Sequence, residues 1–215
     1  MSKYLFLDCD STLCAIEGVD ELAALRGSET EREVIELTNR AMDGTVPITE
    51  VFTRRLDLSK PTKNMCEEVG QMYIERLSPH AESTINELQK EGWEVIIISG
   101  GFTPVIAPVA AYLNIKTIFA VNLLFDEAGE YQCFDTDAPT ARNGGKPDII
   151  KDFLNDKFPS KTVMMGDGIS DLETQSVVDV FIGYGGVISR QAVQTESQFF
   201  LTDFKELPKI ISITS

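Results

Sequence analysis

Short apolar runs alternate along this chain with stretches of helical periodicity. The first run, Lys3-Tyr4-Leu5-Phe6-Leu7, leads directly into Asp8 and predicts a strand over residues 3–8. Trp93-Glu94-Val95-Ile96-Ile97-Ile98 reads as a buried strand from its near-continuous apolar character. Further strands are predicted at Thr117–Val121, Thr162–Gly166 and Val178–Ile182. Helices are predicted between them, at 82–91 (ended by Gly92), about 103–113, Asp148–Phe158 and Ser170–Ser176, with a closing helix over Asp203–Ile211. Strands alternating with helices imply a parallel sheet. Leu123–Asp126 and Glu130–Phe134 flank Glu127-Ala128-Gly129 and predict a hairpin.

Residues 15–78 differ in character. They carry dense charge at helical spacing and few strand signals. Asp20–Leu25 reads as a short helix ended by Gly27. Ser28 then caps a helix through Met42, with Glu31 completing a capping box. Asp43-Gly44 breaks that helix, Thr49 opens another to about Leu58, and Ser59-Lys60-Pro61-Thr62 leads into one ending near Leu77. Pro79 marks the return to alternating strands and helices. The chain is therefore an α/β protein with a parallel-sheet core over 1–14 and 79–215, into which a helical block over 15–78 is inserted after the first strand.

Composition narrows the partners. Of 215 residues, 34 are acidic and 19 are Lys or Arg, a net charge of −15. Such a surface repels nucleic acid and anionic lipid, so neither is expected as a partner. An anionic substrate would need local positive charge from a specific Lys, Arg or metal. The four cysteines, Cys9, Cys14, Cys66 and Cys133, form no C-x-x-C pair and no zinc spacing. Free thiols without a secretory leader point to a cytoplasmic protein. No apolar stretch is long enough to span a bilayer.

The candidate chemistry lies where strands end. Asp8-Cys9-Asp10-Ser11-Thr12 places two carboxylates at the carboxyl end of the first strand, where open α/β sheets bind ligands. Asp, Ser and Thr also favour turns, so this run alone reads equally well as a plain turn. Two further strands end in Ser99-Gly100-Gly101 and in Gly166-Asp167-Gly168-Ile169-Ser170-Asp171. In a parallel sheet these three ends share one edge, bringing together four aspartates, the hydroxyls of Ser99 and Ser170 and exposed backbone N–H groups. Lys146, in Gly144-Gly145-Lys146-Pro147 at the opening of a helix, is the best candidate to offset that charge. The single histidine, His80, sits at a block boundary and reads as structural or solvated. No cysteine has an arginine six residues on, and there is no G-x-S-x-G elbow, P-loop or G-x-G-x-x-G.

The order Asp8-x-Asp10-Ser11-Thr12, Ser99-Gly100-Gly101, Lys146 and Gly166-Asp167-Gly168-x-x-Asp171 resembles the haloacid dehalogenase superfamily of phosphotransferases. Within it the chain is similar to the phosphoserine phosphatase family over nearly its whole length. That similarity includes Glu17–Leu22, Arg40-Ala41-Met42, Arg55-Leu56, Ser99–Phe102, Pro139-Thr140-Ala141 and Phe181-Ile182-Gly183. The resemblance implies a Rossmann-like core under a helical cap, and Mg²⁺-dependent hydrolysis of O-phospho-L-serine, the last step of serine synthesis. It implies Asp8 as nucleophile, Asp10 as general acid and base, and Mg²⁺ on the carboxylates of Asp8 and Asp167 and the backbone carbonyl of Asp10. Ser99, Gly100, Gly101 and Lys146 would hold the phosphate, and Asp171 would orient Lys146 or assist the metal. In the cap, Glu17 would pair the substrate ammonium and Arg55 its carboxylate, with Met42, Ser170 and Arg190 also near the substrate. A monomer or homodimer is expected. Ile48 stands where the family's cap carries an aromatic residue, and Asp43 adds a charge beside Met42. Two other readings stay open: the same chemistry on another small phosphomonoester, and a non-catalytic phospho-acceptor module of the response-regulator type.

Overall fold

The computed structural model describes residues 2–42 and 48–214, with the side chains of 39–42 and 48–50 outside the description. The Asp43-Gly44 break lies outside the described residues. Strand β1 (Lys3–Leu7) is followed by the helical block α1 (Gly18–Arg26), α2 (Ser28–Met42), α3 (Ile48–Ser59) and α4 (Lys63–Glu75). The chain then runs α5 (Ala81–Lys90), β2 (Trp93–Phe102), α6 (Thr103–Tyr112), β3 (Thr117–Val121), β4 (Leu123–Phe125) and β5 (Tyr131–Phe134). It closes with α7 (Gly145–Leu154), β6 (Lys161–Gly166), α8 (Ile169–Leu172), β7 (Val180–Tyr184), α9 (Gln191–Glu196), β8 (Phe199–Leu201) and α10 (Leu207–Ile213).

Six strands form one sheet in the order β3-β2-β1-β6-β7-β8, with every pairing parallel. This is the doubly wound arrangement: the chain builds outward from β1 in one direction, then returns beside β1 and builds in the other. The near-continuous apolar runs are explained by burial of both faces. Leu5, Leu7, Ile97, Val163, Met165 and Ile182 point to the face covered by α5, α6 and α10. Tyr4, Phe6, Ile96, Ile98, Met164 and Phe181 point to the face covered by α7 and α9. On that second face the Phe153 ring meets Phe6 edge-on at 5.7 Å, an arrangement worth about 0.5–1.5 kcal/mol beyond area burial.

Several boundaries differ from expectation, each for a local reason. Ser28 is the first helical residue of α2, not its cap: the Gly27 carbonyl accepts the Glu31 N–H at 3.1 Å. Strand β2 continues past Ile98 through Ser99-Gly100-Gly101 to Phe102, with a register shift against β3. Helix α7 begins at Gly145, three residues before Asp148, so Lys146 is in its first turn and not in a preceding loop. Pro147 is tolerated there because first-turn N–H groups have no intrahelical partner. The predicted helix over Ser170–Ser176 divides into α8 and a 3₁₀ turn at Glu173–Ser176. Helix α9 and edge strand β8 had no sequence signal, being short and amphipathic at best.

Within the inserted block, Thr62 caps α4 by accepting the Met65 N–H at 3.2 Å. Helix α4 lies along α6 of the core. Gly70 permits that approach, since a Cβ there would come within 2.6 Å of Pro108 Cγ and 3.1 Å of the Val105 carbonyl oxygen. The two chain segments joining block and core hold each other: Ala15 N–H donates to Arg76 O at 2.7 Å, and Ser78 N–H donates to Leu13 O at 2.9 Å. No described helix is long and apolar enough to cross a membrane.

Candidate active site

The strand order reverses between β1 and β6, so their carboxyl ends open a crevice that neither crossover helix covers. Asp8 follows β1, and its N–H continues the ladder to Met165 O at 3.0 Å. Asp167 follows β6. The two loops meet: Thr12 Oγ1 donates to Asp167 Oδ1 at 3.1 Å. A cavity of about 540 Å³ opens over them. Every predicted site residue except Met42 lines it, namely Asp8, Asp10, Glu17, Arg55, Ser99, Gly100, Gly101, Lys146, Asp167, Ser170, Asp171 and Arg190. Met42 ends α2, and its side chain lies outside the described set.

Lys146 is buried between two carboxylates, with Nζ 2.6 Å from Asp171 Oδ1 and 2.9 Å from Asp8 Oδ1. Burial alone would lower its pKa, but Asp171 and then Asp8 raise it more, so the lysine stays charged. Asp171 Oδ2 accepts the Gly168 N–H at 2.9 Å, which fixes the carboxylate against the loop. Gly166 is required beneath it, since a Cβ there would lie 2.2 Å from Asp171 Cγ. Arg190 Nε donates to Asp167 Oδ2 at 3.0 Å. Even so, burial and then the charge of Asp8 push Asp167 up to about 6.

Asp8, Asp167 and Asp171 each offer an oxygen within 4.8 Å of the others, and all three are buried. Hard carboxylate oxygens this close suit a divalent cation, whose charge would relieve the repulsion that adds to burial in raising Asp167. The Asp10 carboxylate is engaged elsewhere. Its Oδ1 accepts the Gly18 N–H at 2.7 Å and the Tyr73 hydroxyl, and its Oδ2 accepts Ser99 Oγ at 3.2 Å. Burial raises its pKa, against the pull of these hydrogen bonds. Cys9, between the two aspartates, is a core thiol whose pKa burial drives well up, so it stays protonated.

The helical block contributes Glu17 and Arg55 from different elements. Glu17 accepts Ser11 Oγ at 2.5 Å, and burial, then Asp10, push its carboxyl up to about 8. Arg55, on α3, donates from Nη1 to Thr38 Oγ1 at 3.2 Å; among the described residues its buried Nε has no hydrogen-bond partner. Arg55 lines the cavity, which places a cationic side chain of α3 opposite the strand ends.

Thr12, Ser11 and Tyr73 hold site side chains in place, yet none was assigned a role from the sequence. Thr12 and Ser11 lie within the Asp8–Thr12 run, and their turn-forming character hid their contacts to Asp167 and Glu17. Tyr73 gave no signal at all, because an aromatic on the apolar side of a helix reads as core. His80 is remote from the cavity: it precedes α5 with left-handed φ of 62° and pairs with Asp203 at 2.8 Å.

The family model of haloacid dehalogenase-like hydrolases matches residues 5–174, and the chain belongs to that family. Phosphatases of this family depend on a metal, and the buried aspartate group offers a place for one. The chain is 41% identical over 203 residues to the phosphoserine phosphatase of Mus musculus, covering 93% of this chain and 89% of that one. It is 40% identical over 204 residues to the chloroplastic phosphoserine phosphatase of Arabidopsis thaliana, covering 93% and 68%. A solved phosphoserine phosphohydrolase-like protein from Francisella tularensis superposes with a TM-score of 0.83 at 26% identity, covering 98% of this chain and all of the other.

Proposed function

We propose that this chain is a phosphoserine phosphatase, hydrolysing O-phospho-L-serine to L-serine and phosphate through an aspartyl-phosphate on Asp8. The reading is carried by one observation: Glu17 and Arg55, an acid and a base from the helical block, face the same cavity as Asp8 and Asp10. A phosphate alone needs neither. An amino acid beyond the phosphate needs both: Glu17 for its ammonium, whose positive charge draws the proton from the buried carboxyl, and the guanidinium fork of Arg55 for its carboxylate.

In the proposed reaction a carboxylate oxygen of Asp8 attacks phosphorus in line with the seryl oxygen, which splits hydrolysis into two easier displacements. Lys146, Ser99 and the N–H groups of Gly100 and Gly101 hold the phosphoryl oxygens, with Ser170 at the rim and Arg190 bracing Asp167. Asp10 protonates the departing seryl oxygen and, once serine has left, takes a proton from the water that cleaves the acyl phosphate. Mg²⁺ would be held by the carboxylates of Asp8 and Asp167 and the carbonyl of Asp10, and when bound it offsets the charge that would keep an anionic phosphate from Asp8. Residues 15–78 serve as a cap that excludes water and reads the substrate. The substrate is a small molecule, with no nucleic acid or membrane partner. The chain works as a monomer or homodimer in the cytoplasm, whose reducing conditions suit its four free cysteines.

The test is phosphate release from O-phospho-L-serine and a panel of small phosphomonoesters, with Mg²⁺ and with EDTA. Metal-dependent turnover strongest on phosphoserine is expected. Stronger turnover of another ester keeps the chemistry and removes the amino-acid reading. Asp8→Asn is expected to abolish turnover, and an active Asp8→Asn protein removes the covalent mechanism.

A further inference from the structure

The core loop that carries Asp10 does not by itself orient the carboxylate. Both groups that hold Oδ1 come from the helical block: the Gly18 N–H at the start of α1, at 2.7 Å, and the Tyr73 hydroxyl from α4, 63 residues further along the chain than Asp10. Tyr73 is fully buried. The approach is so close that position 18 admits only glycine, because a Cβ there would lie 2.2 Å from the Tyr73 hydroxyl oxygen. A carboxyl oxygen has two lone pairs, and these two donors fill both. Oδ1 therefore has no room for a proton of its own.

Oδ2 is in the opposite situation. It accepts Ser99 Oγ at 3.2 Å, and a Cβ on Gly101 would lie 2.5 Å from it, so it points to the cavity edge formed by the end of β2. Ser99 has one hydroxyl proton, and its oxygen already accepts the Gly101 N–H at 3.0 Å. When that proton turns to a phosphate oxygen, Oδ2 is released.

We infer that Tyr73 is a positioning residue for proton transfer: together with the Gly18 N–H it occupies Asp10 Oδ1 and presents Oδ2 as the oxygen that acts on the leaving group. This rests on the function proposed above. As the Asp8 oxygen bonds to phosphorus, the bond from phosphorus to the seryl oxygen breaks. The electron pair goes to that oxygen, which takes the proton from Asp10 Oδ2 and leaves Asp10 as a carboxylate. Tyr73 neither gives nor takes a proton. Its own position is set by the core, because α4 is seated on α6 through the Gly70–Pro108 contact. A helix of the inserted block thereby sets the angle of a core acid.

The experiment is Tyr73→Phe, which keeps the ring and removes the donor. The readout is kcat/KM, which reports the steps up to transfer onto Asp8. Two esters are compared: phosphoserine (or the best alkyl ester of the panel), whose alkoxide must be protonated as it leaves, and para-nitrophenyl phosphate, whose leaving group departs unprotonated. We expect kcat/KM to fall about tenfold or more on the alkyl ester and less than about twofold on the aryl ester. Equal losses on both esters, or no loss on either, overturn the proposal. Substituting 3-fluorotyrosine at position 73 keeps the donor and guards against a packing defect. It is expected to preserve the native ratio of the two esters, and a ratio displaced as far as that of Tyr73→Phe overturns the proposal. Turnover by the native protein tests the function and the ratio tests Tyr73, so the two fail separately.

Discussion

The Lys146 ammonium lies 2.6 Å from Asp171 Oδ1, joining residues 25 apart in sequence at a point closed to solvent. The first turn of α7 and the loop after β6 are thereby tied together, and the same ammonium reaches Asp8 at 2.9 Å. One buried cation serves two buried anions. Its loss is more serious than the loss of a surface pair, since uncompensated buried charge is what makes broken buried pairs costly.

Replacing Lys146 with Met is therefore expected to cost about 3–5 kcal/mol of stability without divalent metal, and to remove most of the turnover. The repulsion among Asp8, Asp167 and Asp171 is then unrelieved, so added Mg²⁺ is expected to raise the melting temperature of the variant more than that of the native protein. Thermal melts of both proteins in EDTA and in Mg²⁺ check this. Equal metal-induced shifts would contradict the picture of one shared charge balance.

Arg55→Ala separates recognition from chemistry. Arg55 reaches the cavity from α3, and its guanidinium hydrogen-bonds to Thr38 of the helical block rather than to Asp8 or Asp10. Removing the partner of a buried substrate carboxylate is expected to cost about 2 kcal/mol or more, roughly thirtyfold in kcat/KM on phosphoserine. Turnover of para-nitrophenyl phosphate, which has no carboxylate to lose, is expected to change little. Equal losses on both esters would mean that Arg55 does not read a carboxylate.

Glu17 sets a pH dependence of stability. Its carboxyl titrates near 8 in the folded protein against an ordinary value of 4.5, chiefly through burial and then the charge of Asp10. Below pH 4.5 both folded and unfolded chains hold the proton, and the shift costs nothing. Between 4.5 and 8 the unfolded chain has released its proton while the folded chain keeps it, so stability falls as pH rises. Glu17→Gln removes this cost. In metal-free melts the variant is expected to gain on the native protein from pH 4.5 to pH 8, and to hold a constant advantage above that. A pH-independent difference would contradict the assignment.

Gly70→Ala tests how the helical block is seated. Alanine is the better helix former by about 1 kcal/mol. At this position, however, its Cβ would stand 2.6 Å from Pro108 Cγ and 3.1 Å from a backbone oxygen of α6. Overpacking of that kind costs about 1–3 kcal/mol, so net destabilisation in a chemical melt is expected. A stabilised variant would show that α4 and α6 have room to part.

Much of this protein was legible before any coordinates. The runs at 3–8, 93–98 and 162–166 became strands because sheets buried on both faces need near-continuous apolar sequence, and 117–121 became the half-buried edge strand β3. The turns after β1, β2 and β6 were legible as chemistry because parallel strands place their carboxyl ends on one edge, so local motifs far apart in sequence must meet. What is short or amphipathic, such as β8 and α9, stayed hidden, since six residues or fewer cannot display a period. Only the tertiary structure decided how each side chain is aimed. That Lys146 is tied to Asp171, that Thr12 braces Asp167, and that Tyr73 grips Asp10 are contacts between segments 25, 155 and 63 residues apart. Periodicity shows that a residue is buried but not what it touches, because a hydroxyl on the apolar side of a helix acquires its partner only when that helix is packed against another element.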